Sequence, residues 1–468
     1  MSLYLAMLIL YSALLIAAGV WASRRARESV DFFVAGRDLG TGLLFSTLLA
    51  ANIGAGSTVG AAGLGYEKGL SAWWWVGSAG LGSLVLAFTV GPRLWRLASE
   101  NNFYTVGDYL EFRYDRRIRV LTAAVLWLGA LAILAGQLIA MAWILEVVAH
   151  TPKWLGCWVG GLVVTLYSSV GGLVSVTRVN AVQLIVKALG FLLAVPFALK
   201  ANGAWGRLPS FQIAGVPPAY WSFEGSGYAE IFGYVILLAP SFIVSPGLLQ
   251  KIYGARNASV VRSGVSLNAL GLLVFAILPP LLGMVARQAY PDLHNRELAL
   301  PTVLVHFLPQ WLSVLTLAAV FSAELSSADA VQSMLTNSLA KDFLKTVLLP
   351  HLDDASLFRL TKRVSVTTGM LGVVVALIIP TVVAALQIFY SLLTVVLFVP
   401  LVVGLYWHRP GPRAVLLAIA TSVPTTLLIH ADTAGKGFGV LSPVACGTLV
   451  STVTMTVASF MRQAAACD

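Results

Sequence analysis

The chain has 468 residues, 58% of them hydrophobic and 11% charged, with a mean hydropathy of +0.85 and a formal net charge of +10. A soluble domain carries about 25% charged residues, so a chain solvated on all sides is excluded, and there is no room for a large soluble domain. Apolar runs of about 20 residues recur along the whole length, each long enough to cross ~30 Å of hydrocarbon, and the expected class is a polytopic α-helical membrane protein set in a lipid bilayer.

The positive charge does not point to nucleic acid, because Lys and Arg collect in alternate loops. Cys157, Cys446 and Cys467 are widely spaced and form neither a disulfide framework nor a zinc pattern. The six histidines are scattered.

The first apolar run, Leu3 to Ala22, is followed rather than preceded by Arg24, Arg25 and Arg27. A cleavable signal peptide has the opposite order, so this run is expected to stay as a helix with its N-terminus outside. About 13 spans follow from the hydropathy, near 3–23, 40–64, 70–92, 119–149, 154–175, 179–200, 227–249, 262–286, 301–340, 364–386, 388–407, 413–430 and 439–461. The fourth and ninth are too long for one simple crossing. With this count the inner loops hold 22 of the 30 Lys and Arg and the outer loops 7, with Lys187 inside a span. That bias sets the orientation, with a cytoplasmic C-terminus and, as the expected setting, a bacterial inner membrane.

Two spans are interrupted. The second contains NIGAGS (Asn52–Ser57), where Gly54 and Gly56 each lower helix propensity by about 1 kcal/mol. The seventh contains Pro240 and the Ser245–Pro246–Gly247 sequence, and Pro removes a backbone donor and kinks or breaks a helix. Gly56 and Gly60 also form a GxxxG packing pattern. The two interruptions are five helices apart, and paired interruptions in two halves are a sequence pointer to the midplane site of an inverted-repeat transporter.

Several stretches resemble the sodium:solute symporter family. They are DFFVAGR (Asp31–Arg37), YSSVGGLVSVTRVNAVQ (Tyr167–Gln183), SPGLLQKIYGARN (Ser245–Asn257), FSAELSSADAVQSMLTNSLAKDF (Phe321–Phe343) and VGLYWHRP (Val403–Pro410), in the family's order and over nearly the whole chain. The resemblance implies a leucine-transporter-like core of two inverted five-helix repeats. The expected parts are an N-terminal extra helix and loop (1–39), a first repeat (40–200), an outer loop (201–226), a second repeat (227–407) and C-terminal helices (408–468). It further implies a sodium site built by the carbonyls of Ala50, Ile53 and Ala323 and the hydroxyls of Ser326 and Ser327, with sodium as coupling ion and no other cofactor. Adjacent serines otherwise bond back to their own helix.

Asp329 stands where many family members have a small hydroxyl residue, and Asn180 stands where many have their Asp. Asp329 is therefore expected to supply the charge that Asn180 lacks, since an intramembrane ionisable group is a functional candidate by default. Glu324 lies about 140° away around the same helix, at 100° per residue, and should face another neighbour. Lys187 is seven residues after Asn180, ~10.5 Å further along the helix. Three roles stay open for it: an ion pair with Glu324 or Asp329, a contact to an anionic substrate group, or an ammonium placed at the sodium site.

The candidate substrate residues are Asn52, Gly56, Ser57 and Thr58 on one broken helix, facing Tyr234 and Ser241 on the other. Sugar-transporting relatives hold hydroxyls with acidic and amide side chains at the positions of Gly56 and Ser57, which argues against a sugar here. Trp73, Trp74 and Trp75 offer either a cation–π box or, as the simpler reading, an interfacial aromatic belt.

The expected function is sodium-coupled symport of a small organic solute by alternating access. The alternatives are a proton-coupled or sodium-independent carrier in which Lys187 replaces the ion, and a membrane sensor. The short stretch after the last helix, without a kinase-like segment, weighs against the sensor. No nucleophile–base pair, metal cluster or phosphate loop points to an enzyme.

Overall fold

The computed structural model describes residues 3–23, 37–168, 173–203, 216–340, 343–344, 351 and 354–467. Most of the DFFVAGR stretch, and Arg24, Arg25, Arg27, Arg207, Lys341 and Lys345 of the loop-charge argument, fall outside these residues. All regular structure among the described residues is helical, with two isolated bridges and no sheet.

The chain begins with α1 (Leu3–Ser23). The second apolar run is two helices, α2 (Thr41–Asn52) and α3 (Ala61–Lys68), separated by Ile53–Ala55 and a π-helical turn, Gly56–Gly60. Next come α4 (Trp73–Phe88), α5 (Val90–Glu100), α6 (Val106–Arg113) and α7 (Arg116–Ala149). Asp115 caps α7 by accepting from the Ile118 N–H, so the helix starts before the expected boundary. Its 34 residues extend ~51 Å, too long to stand upright in ~30 Å of hydrocarbon. Then come α8 (Lys153–Ser168) and α9 (Leu173–Ala201), followed by the second broken pair, α10 (Tyr228–Val244) and α11 (Pro246–Tyr253).

The second half continues with α12 (Ala258–Phe275), α13 (Leu278–Ala289), α14 (Ala299–His306), α15 (Gln310–Asn337) and α16 (Asp354–Ile378). Helix α17 (Val382–Leu392) runs through a π-helical turn into α18 (Val399–Tyr406), and α19 (Pro412–Asp432) and α20 (Pro443–Cys467) close the chain.

Among the described residues, ten helical segments are long and apolar enough to cross a membrane. Leu3–Leu14 and Thr41–Asn52 are apolar but shorter, and α8 has 16 residues. Length and apolar content thus give ten candidate crossings among the described residues, and the expected count of about 13 is not confirmed. Three expected spans are divided by proline. The run 301–340 is split by Pro309, which is extended and precedes α15. The run 262–286 turns at Ala276–Ile277, just before Pro279 and Pro280. Pro240 lies inside α10 without breaking it, and the chain opens at Ser245 (φ −53°, ψ 118°) instead. A residue before proline is pushed out of the helical region, so Pro246 dictates the place of the break.

The packing repeats itself between the halves. Helices α3 and α2 pack on α13 and α12, as α10 packs on α4. Helix α9 packs on α15, as α17 packs on α7; α7 packs on α8, as α15 packs on α16. Exchanging the second to sixth hydrophobic segments with the seventh to eleventh leaves these pairs unchanged, as an inverted five-helix repeat requires. The tightest approaches use glycine: a Cβ on Gly65 of α3 would fall on the backbone of Pro280, and one on Gly82 of α4 on the backbone of Ala239. Membrane helices associate through such small residues. Gly65→Val should therefore lower the melting temperature of detergent-purified protein, at a cost of about 1–3 kcal/mol or more for overpacking. An unchanged melting temperature would mean that α3 and α13 do not meet as described.

Candidate ion and substrate site

Where α2 stops, the carbonyls of its last turn lose their helical donors. The Ile53 N–H still bonds to Leu49 O at 2.9 Å, and there the ladder ends. The Gly54 N–H turns to Ser57 Oγ at 3.0 Å, and the Ala55 N–H to Gln137 Oε1 of α7 at 2.9 Å. The freed carbonyls find new donors on other helices. Ser326 Oγ donates to Ala50 O at 3.0 Å, and Ser327 Oγ to Ala51 O at 2.8 Å and Ile53 O at 3.3 Å. Ser326 Oγ also lies 3.2 Å from Ala323 O. The five oxygens implied by the family resemblance, from Ala50, Ile53, Ala323, Ser326 and Ser327, thus form one connected cluster between the end of α2 and the middle of α15.

Lys187 of α9 enters this cluster. It is fully buried, and its ammonium donates to Ala50 O at 2.6 Å, Ser326 Oγ at 2.6 Å and Ile53 O at 3.2 Å. An ammonium has three N–H donors, and each has an oxygen. No carboxylate of the described residues lies within 4.0 Å of it, so Lys187 makes no direct ion pair with Glu324 or Asp329. Glu324, two residues before Ser326, points to another face of α15 and holds Thr58, and Asp329 lies about one turn further along the helix.

Both acids are buried. Glu324 Oε1 accepts from Thr58 Oγ1 at 2.6 Å, tying α15 to the π-helical turn, while Oε2 has no hydrogen-bond partner among the described residues. Neither oxygen of Asp329 makes a hydrogen bond of good geometry among the described residues, although the Ser168 hydroxyl lies beside it. Asn180 lies in α9, but its side chain is outside the described residues, and no contact ties Asp329 to the Lys187 ammonium.

Beside the cluster is a cavity between the two broken helices. Asn52, Gly56 and Ser57 line it, with Gln137 and Ser327, and Ser245, Gly247 and Lys251 face them from the second break. Trp75, Phe242, Phe389 and Tyr390 form its apolar wall. Three expected substrate residues are placed elsewhere. Thr58 is turned to Glu324. Ser241 bonds to Leu237 O, Tyr390 O and Thr394 Oγ1 at 2.6, 2.8 and 2.9 Å, pinning α10 to the π-helical turn after α17. Tyr234 donates to Glu230 Oε1 at 2.6 Å, and Glu230 is ion-paired with Lys68. Successive residues of a helix point about 100° apart, so the three tryptophans do not act as one belt. Trp75 is buried in the cavity wall, with Nε1 donating to Gly56 O at 2.9 Å, and Trp73 and Trp74 bond to Leu273 O and Phe223 O.

Two residues had no place in the sequence reading. Gln137 repairs the break in α2, and a lone Gln in an otherwise apolar helix is the available signal. By its place in the sequence Lys251 is one of the 22 basic residues of the inner loops, yet it is 4% exposed and lines the cavity. Its spacing of four from Gly247 puts it on the face of α11 that carries the break.

The model of the sodium:solute symporter family matches residues 32–419. The chain is 23% identical over 478 residues to a sodium/glucose cotransporter of Vibrio parahaemolyticus, covering 90% of this chain and 83% of that one. It is 25% identical over 427 residues to the sodium/pantothenate symporter of Escherichia coli K12, covering 88% and 87%. It is 22% identical over 453 residues to high-affinity choline transporter 1 of Caenorhabditis elegans, covering 90% and 77%. The solved structure of a Na+-coupled sialic acid symporter superposes with a TM-score of 0.82 at 15% identity, over 98% of each chain. That of the nucleobase-cation-symport transporter Mhp1 superposes with a TM-score of 0.62 at 14% identity, over 92% of this chain and 95% of that one. With two broken helices and a family model that matches residues 32–419, the chain belongs to the sodium:solute symporter family.

Proposed function

We propose that the chain is a sodium-coupled symporter that moves a small organic solute by alternating access. The observation that carries this reading is the convergence of five oxygens at the break in α2, beside a cavity lined by both broken helices. A hard cation takes oxygen ligands, and unwound backbone at membrane depth persists where it is buried or lines a cavity. Residues 40–200 and 227–407 are the two repeats, and 1–39 and 408–468 flank them. The loop charges favour an outer N-terminus and a cytoplasmic C-terminus in a bacterial inner membrane. Sodium reaches the five oxygens only when the Lys187 ammonium leaves them. On this reading Lys187 is a tethered competitor, and the unpartnered Oε2 of Glu324 is an acceptor for it.

A second reading rests on the same hydrogen bonds. With all three of its donors matched, the Lys187 ammonium is itself the coupling cation, and transport follows its proton.

Uptake into proteoliposomes separates the two. Labelled carboxylates, sugars, amino acids and choline are offered under an inward sodium gradient, then under an inward proton gradient with N-methylglucamine replacing sodium. Accumulation driven by sodium is the expected result. Accumulation driven by protons alone assigns the coupling to Lys187, and accumulation under neither gradient removes secondary active transport.

A further inference from the structure

Among the described residues the cavity carries a single charged side chain. Among its lining residues there is no Asp, Glu, Arg or second Lys besides Lys251. Lys251 is 4% exposed, its ammonium donates no hydrogen bond within the described residues, and no described carboxylate lies within 4.0 Å of it. The acid whose charge acts on it is Asp329, which does not line the cavity. A buried cation without a close partner costs several kcal/mol, so the site is built to receive an anion.

The backbone adds to this. Helix α11 starts at the break, and the N–H groups of its first turn point out of the helix end. Those of Leu248 and Leu249 fold back onto Ser245 O, whereas that of Gly247 has no backbone acceptor. A Cβ at Gly247 would meet nothing within 4 Å, so the chain borders open space at this residue. The positive end of the helix dipole lies at the same place. Lys251, four residues on, lies on the same face of α11 as Gly247.

The rest of the cavity defines the body of the ligand. Trp75, Phe242, Phe389 and Tyr390 supply an apolar, aromatic wall. With no lining acid, a free amine finds no counter-charge, and Lys251 repels a quaternary ammonium. The buried charged side chains of the described residues also balance: Arg119, Lys187 and Lys251 against Glu297, Glu324 and Asp329. A monoanion entering with one cation keeps that balance.

We propose that Lys251, together with the first turn of α11 at Gly247, is the anion-recognition end of the substrate cavity, and that the substrate is a small monocarboxylate with an apolar or aromatic body. This rests on the transporter reading and gives it a substrate class.

The test is a thermal-shift panel on the full chain in detergent at fixed sodium concentration. The probes are butyrate, benzoate and phenylacetate, against benzamide, choline and glucose. At least one carboxylate should raise the melting temperature, and benzamide, which has the shape of benzoate without its charge, should not. In Lys251→Met the affinity for that carboxylate should fall about tenfold or more, the scale of losing one buried charge-assisted hydrogen bond. Lys251→Arg, which keeps the charge, should retain most of it and shows that the site still folds. Three outcomes overturn the proposal: no carboxylate shifts the wild type, benzamide works as well as benzoate, or the shift survives in Lys251→Met. A shift from glucose or choline alone also overturns it while leaving the transporter reading intact. The transporter reading fails instead if no gradient drives uptake of any solute.

Discussion

Lys187→Met should abolish concentrative uptake and lower the melting temperature in sodium-free buffer. The substitution keeps the apolar stem but deletes the three N–H donors that now serve Ala50 O, Ile53 O and Ser326 Oγ. A buried polar group left without a partner costs about 1–3 kcal/mol. The change also removes the cation that acts on the Glu324 carboxylate. The cluster is then a set of oxygens with no resident charge, and a cation supplied from solution should restore part of the lost stability. A ligand bound only by the folded state contributes about 2.7 kcal/mol at 100 times its Kd. Full uptake by Lys187→Met with unchanged ion dependence would make the lysine a bystander.

Ser326→Ala should have the second-largest effect, and a larger one than Ser327→Ala. Ser326 Oγ accepts from Lys187 and also donates to Ala50 O, so it touches the cation position directly. Ser327 Oγ bonds to Ala51 O and Ile53 O and holds the shape of the break without contacting Lys187. The loss of one cage oxygen, at about 1–3 kcal/mol, corresponds to about 5–150-fold in affinity. The readout is the concentration of driving cation that gives half-maximal uptake. Equal effects of the two serines, or none from either, would detach these residues from coupling.

The architecture was legible in the sequence because its signals are long. Apolar runs and a second break five helices after the first survive errors of several residues at each boundary. The position of the second break was less legible: Pro240 and Pro246 both qualify by residue type, and only the backbone shows that Pro240 is absorbed inside α10 while Ser245 opens. The substrate residues separated for a similar reason. Asn52, Gly56 and Ser57 follow one another around an unwound turn and stay together at the cavity. Thr58, Tyr234 and Ser241 have hydroxyls that other helices claim first. Lys187 left three roles open in the sequence, since spacing along α9 does not say which oxygens lie across from it. Lys251 was hidden by its neighbours: with Arg256 and Arg262 nearby it reads as one more loop cation, and its burial is a property of the fold.

Sodium titration of Lys187→Met tests the central claim most directly, that the break in α2 and the serines of α15 form a cation cage which Lys187 fills. Melting temperature is followed in detergent as sodium chloride replaces potassium chloride at constant ionic strength, with Lys187→Met/Ser326→Ala as the control. The account predicts a sodium-specific rise in Lys187→Met that exceeds the wild-type rise and is lost when Ser326 is also replaced. No sodium-specific rise in Lys187→Met, or a rise that persists without Ser326, would contradict it.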